Sequence, residues 1–126
     1  MKVIIVSTLS FIIMLSGCFI IYQDIEHIVS ESTQVLENLT EKVQTQQWTS
    51  ALKELDKLHK DWQSHMKICT FFADQNQLYD IEFSIIRIQH YIKNKNTPMS
   101  IQEIHILTKI IDILKEQQKP SVQNIF

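Results

Sequence analysis

Five histidines, His27, His59, His65, His90 and His105, and two cysteines, Cys18 and Cys69, are the side chains best suited to hold a metal or act as base or nucleophile. A metal pair on one helix needs ligands three or four residues apart, so that both leave the same face. No two of these histidines have that spacing. A site would have to be assembled across helices, for instance from His59 with His90 or His105. The reading taken here is of solvated or partly buried structural histidines. Acid pairs fare no better. Asp56 with Asp61, and Asp80 with Glu82, do not share a helix face at the spacing general acid–base work requires. A nucleophile elbow or a phosphate-cradling loop needs glycine. Gly17 is the sole glycine of the chain, and it lies inside an apolar run. No catalytic, cofactor or metal residue is assigned, and an enzyme is not expected.

The cysteines occupy different settings. Cys69 falls on an apolar helical stripe, where a cysteine acts as a small buried hydrophobe. Cys18 ends the tetrapeptide Leu15-Ser16-Gly17-Cys18. That segment resembles a bacterial lipobox, whose cysteine becomes the first mature residue and carries lipid. Trp48 and Trp62 are the remaining distinctive residues. They lie on one helical stripe, where they serve either as core aromatics or as an exposed patch that contacts a partner helix or peptide.

These residues are positioned first by the amino terminus. Val3–Tyr22 is an uncharged run of about the twenty residues that a helix needs to cross a bilayer core. Ser7, Thr8, Ser10 and Ser16 can return their hydroxyls to the helix backbone. Lys2 precedes the run, Asp24 and Glu26 follow it, and the next basic residue is Lys42. The basic flank stays in the cytoplasm, so Gln23 onward lies outside. Two readings stay open. Residues 1–22 are a membrane anchor spanning the bilayer, or they hold a cleaved signal that leaves the chain lipid-anchored through Cys18. Phe19-Ile20-Ile21-Tyr22 prolongs the apolar run past the cysteine and favours the span. Both place the domain on the outer face of a cytoplasmic membrane.

Beyond the anchor, the composition is that of helices. Lys, Glu, Gln, Leu and Ile dominate, and the only prolines are Pro98 and Pro120. A sheet protein would need turn residues far more often. The net charge of −2 carries no nucleic-acid footprint. Asp24, Glu26, Glu31, Glu37 and Glu41 come before Lys42, so anionic headgroups would repel that stretch.

Four helical stripes follow. Ile25, Ile28, Val29, Ser32, Leu36, Leu39 and Val43 predict a helix over 23–44, continuous with the membrane segment. Trp48, Ala51, Leu52, Leu55, Leu58, Trp62, Met66, Cys69 and Phe72 predict the next, after a turn at Thr45–Gln47. Folding back is the nearest way to bury two such stripes. Asp74-Gln75-Asn76-Gln77 reads as a capping box. The third helix carries Leu78, Ile81, Ile85, Ile88 and Ile92, with Tyr79, Phe83 and Ile86 widening the face toward further neighbours. It ends at Lys93-Asn94-Lys95-Asn96, where an asparagine suits the left-handed position. Thr97-Pro98 opens the last turn, and Ser100-Ile101-Gln102-Glu103 reads as a second capping box. The fourth helix shows Ile101, Ile104, Leu107, Ile111 and Leu114, with Ile106, Ile110 and Ile113 behind them. It stops at Lys119-Pro120. The fold class is all-α: an N-terminal membrane helix followed by a three- to four-helix antiparallel bundle over 23–118, with a C-terminal tail over 119–126. No internal repeat points to a solenoid.

The stretch Gln47-Trp48-Thr49-Ser50-Ala51-Leu52, followed by Leu55, Leu58 and Trp62, resembles a signature of the bacterial domain-of-unknown-function family DUF4363. The likeness continues through Leu78-Tyr79-Asp80-Ile81 and Arg87-Ile88-Gln89-His90-Tyr91-Ile92. It also takes in Glu103-Ile104, Leu107, Ile110-Ile111 and Asn124-Ile125-Phe126. Where the family often has a histidine before its third helix, this chain has Asp74-Gln75-Asn76. The resemblance implies a small membrane-anchored helical domain of low-GC Gram-positive bacteria, and no assigned activity.

The function expected is a non-enzymatic protein-interaction or scaffold module at the cell envelope. Residues 3–22 meet the membrane, Trp48 and Trp62 are candidate contacts to an envelope protein, and no nucleic acid is bound. The alternative is a ligand- or metal-binding sensor, or an enzyme, with its site assembled across helices.

Overall fold

The computed structural model describes residues 1–69 and 75–118. Asp74, Phe72, the Lys119-Pro120 stop and the tail 119–126 lie outside the described residues. So do the side chains of Ile25, Met66 and Cys69.

Among the described residues four helices follow one another: α1 (Lys2–Gln44), α2 (Trp48–Cys69), α3 (Gln75–Lys93) and α4 (Thr97–Gln118). With 43 residues, α1 is about 65 Å long at the usual rise per residue. The other three are about half that. From Lys2 to Ile20 the helix is bare of protein contacts, with a mean hydropathy of 2.5 over its membrane-length window. It then enters the bundle without a break, as the sequence predicts.

The bundle packs α1 against α2, α2 against α3, α3 against α4 and α4 back against α1. Each helix gives an alternating three- and four-residue stripe to a shared core. In α1 the stripe is Val29, Ser32, Leu36, Leu39 and Val43, and in α2 it is Ala51, Leu55, Leu58 and Trp62. In α3 it is Leu78, Ile81, Ile85, Ile88 and Ile92, and in α4 it is Ser100, Ile104, Leu107, Ile111 and Leu114. This is the spacing of helices packed at small crossing angles, with side chains of one filling holes in the next.

The two short connections share one geometry. Gln46 N–H donates to the Val43 carbonyl and Gln47 N–H to the Lys42 carbonyl. Likewise Lys95 N–H donates to Ile92 and Asn96 N–H to Tyr91. Both pairs are the crossed bonds that close a helix C-terminus through a left-handed residue. That residue is Gln46 at φ 60° and Lys95 at φ 54°. The asparagine expected in the second turn is therefore displaced. Lys93 is the last residue of α3, which puts Lys95 at the left-handed position and the asparagines on either side.

The start of α4 also departs from the sequence reading. Asn96 Oδ1 accepts the Met99 N–H at 3.2 Å, so Asn96 is the cap and Ser100 lies one turn inside the helix. Ser100 Oγ donates back to the Asn96 carbonyl at 2.6 Å. Pro98 sits in the first turn, where its missing N–H has no intrahelical acceptor to lose.

Candidate functional site

Of the polar side chains suited to chemistry, His59 is engaged between helices. His59 Nε2 lies 3.4 Å from Glu82 Oε1, joining α2 to α3. The structure does not bring His59 together with His90 or His105. His90 is exposed on α3 and bonds with Asn94, and His105 is exposed on α4. His27 pairs with Glu31 at 3.6 Å along one exposed turn of α1. His65 Nδ1 is 2.7 Å from the Asp61 carbonyl oxygen. Among the described residues no group of three His, Cys, Asp or Glu side chains could hold a metal ion.

Two polar links cross the interior. Trp62 Nε1 donates to Ser32 Oγ at 2.9 Å, from α2 to α1. Glu103 Oε1 accepts from Arg87 Nε at 2.7 Å and from Ser84 Oγ at 3.2 Å, from α4 to α3. Glu103 is 7% exposed. The capping box assigned to Ser100 and Glu103 is thus replaced by a link between helices. A local pattern cannot reveal this, because Arg87 is a full helix away in sequence. At the α1–α2 turn, Lys42 Nζ pairs with Glu54 Oε1 at 2.9 Å.

The two tryptophans separate. Trp62 is 3% exposed and belongs to the core, so its ring is not a contact surface in this fold. Trp48 is half-buried at the start of α2 and packs against the same core. It keeps an edge at the surface.

Sequence reasoning misplaced the largest exposed apolar side chains of the bundle. Tyr79, Phe83 and Ile86 were expected to meet further neighbours of α3. They are instead 50%, 55% and 45% exposed. The Tyr79 and Phe83 rings stack on each other with centroids 6.4 Å apart. Among the described residues α3 packs against α2 and α4, and its far side is exposed. Ile106 and Ile113 of α4 are exposed in the same way. Two apolar stripes on one helix were the available signal: the second, one residue out of step with the core stripe, has no partner in a small bundle.

On the bare part of α1, Cys18 is exposed. A side chain placed at Gly17 would meet nothing within 4 Å.

A sequence model for the family described as Domain of unknown function (DUF4363) matches residues 19–125. The chain belongs to this family. No curated protein and no solved structure matches it. The DUF4363 match takes in the bundle part of α1, all of α2 to α4 and both turns. It covers Trp48, Trp62, Ser32, Arg87, Glu103 and the exposed α3 face alike, and it begins one residue after Cys18.

Proposed function

We propose that this DUF4363 protein is an extracytoplasmic helical module without enzymatic activity. It is held at the outer face of a cytoplasmic membrane by residues 3–22 and works by contacting another protein of the envelope. One observation carries the reading: a helix long and apolar enough to cross a bilayer stands free of the bundle and then forms one of its four walls. Lys2 before the span, and Asp24 and Glu26 after it, support an inside amino end. The exposed aromatic face of α3 offers a contact surface of the kind partners use.

Protease added to intact cells tests the placement. The reading requires loss of the bundle from the cell surface with the span retained in the membrane. A bundle degraded only after the cells are lysed would sink it.

A second reading has its own observation. Nothing packs on Gly17, so the fold does not demand a small residue there. A small residue before Cys18 is instead what lipoprotein processing requires, and Cys18 would then carry the lipid anchor.

A further inference from the structure

We infer that the protein pairs with a second copy of itself along α3, side by side and in parallel, through Tyr79, Phe83, Ile86 and His90. This names the partner class of the interaction module proposed above and rests on that reading for its geometry.

The spacing of these residues is four, three and four. That is the alternation of the a and d positions of a heptad, with Tyr79 and Ile86 at d and Phe83 and His90 at a. The same helix already uses one such stripe, Leu78 to Ile92, inside the bundle. The second stripe lies on the opposite side and is exposed along its length. One helix thus carries two seams, and its own chain fills one.

Charge says what fills the other. In a parallel pair, the g position of one helix lies beside the e position of its mate five residues on. With Phe83 at a, Glu82 falls at g and Arg87 at e. The symmetric pair therefore sets Glu82 against Arg87 of the second copy twice over, once on each side of the seam. Both side chains can reach. Glu82 is partly exposed beside His59, and Arg87 is 48% exposed with only its Nε engaged by Glu103. On α4, Ile106, Ile110 and Ile113 repeat the four–three spacing, but the matching e positions, Leu107 and Leu114, are buried in the core. Lys109 stands exposed at g with no opposite charge at e to meet it, so that face has no charge pair to select a mate.

The anchor supplies the direction. A continuous α1 stands both copies the same way up in one membrane, and α3 runs in the same sense as α1 in each. Two α3 helices that meet must then run parallel, so each seam residue faces its own counterpart. A seam of fewer than three heptads is weak in free solution. Confinement to one membrane raises its effective concentration.

The test is disulfide trapping in membranes from cells that make the full chain. A Cys18→Ala, Cys69→Ser background receives one cysteine at a time: Phe83→Cys or Ile86→Cys on the seam, Ile113→Cys or Lys53→Cys as controls. Circular dichroism verifies helicity and fractionation verifies membrane retention. The inference expects dimers of twice the chain mass at Phe83→Cys and Ile86→Cys, severalfold above both controls. It also expects Glu82→Lys, which sets two cations together, to lower the Ile86→Cys yield severalfold. Equal yields at seam and control positions overturn it. If seam cysteines trap a different envelope protein, self-pairing falls while the interaction reading stands. If nothing is trapped, both fall. If the parent chain leaves the membrane fraction, the anchoring falls and the parallel pairing falls with it.

Discussion

Trp62 donates its indole N–H to Ser32 Oγ across the α1–α2 interface at 2.9 Å, with both residues buried. Ser32 occupies a stripe position that is otherwise apolar in α1, and the indole is what makes a hydroxyl acceptable there. Trp62→Ala removes a core aromatic and should destabilise the full chain by about 3–5 kcal/mol. Ser32→Ala leaves the indole N–H without its acceptor and should cost about 1–3 kcal/mol. Denaturant unfolding of the detergent-solubilised chain, followed by circular dichroism, measures both. Equal midpoints for Trp62→Ala and the parent would move Trp62 out of the core.

Gln46 and Lys95 hold the same left-handed turn at two places. A residue with a Cβ is disfavoured in that conformation, and glycine is not. Gln46→Gly and Lys95→Gly should each raise stability by about 0.5–1 kcal/mol, after the greater freedom glycine gives the unfolded chain. The turns are distant in sequence and share no partner, so the double variant should show the sum. A lowered midpoint in either single variant would contradict the turn geometry.

The Arg87–Glu103–Ser84 link is asymmetric, because Arg87 is half in solvent and Glu103 is not. Arg87→Met leaves the buried carboxylate with Ser84 as its only donor among the described residues and should cost about 1–3 kcal/mol. Replacing both partners together, as Arg87→Met with Glu103→Leu, should recover most of that loss, since no uncompensated charge remains. A double variant as unstable as Arg87→Met alone would mean the pair holds the α3–α4 register by more than its charge.

Gly17→Ala should leave the fold unchanged, because nothing stands within 4 Å of the added carbon. Cys18→Ala separates the two anchoring readings. A spanning helix keeps the chain in the membrane after alkaline extraction, with no change in mass beyond that of the substitution. A lipoprotein instead loses incorporation of labelled fatty acid and retains its full amino-terminal segment.

Much of this architecture can be read from residue spacing. The stripes from Ile28 to Val43, from Ala51 to Trp62, from Leu78 to Ile92 and from Ile104 to Leu114 supply the buried apolar residues of the bundle. Both short turns fall where the stripes lapse, because a helix face that stops being apolar has nothing left to pack. What spacing missed is non-local. The Ser100–Glu103 pattern is a valid local cap, but Asn96 caps one turn earlier and Arg87 claims the carboxylate from the neighbouring helix. Hydrophobicity predicts burial for Tyr79, Phe83 and Ile86, yet the count of helices decides how many faces of α3 can be covered. The polar residues never declared a site in the sequence; in the fold His59, Trp62 and Glu103 bond across helices, while His27, His65 and His90 bond within their own.

The unbroken run of α1 from Lys2 to Gln44 makes its apolar half a mast rather than a tether. Azimuth and height of the bundle are geared to that apolar segment. One residue added between Ile20 and Ile28 would swing every outward face by about 100° and lift the domain by about 1.5 Å. Any surface this protein offers its neighbours is thereby aimed by the phase of a single helix.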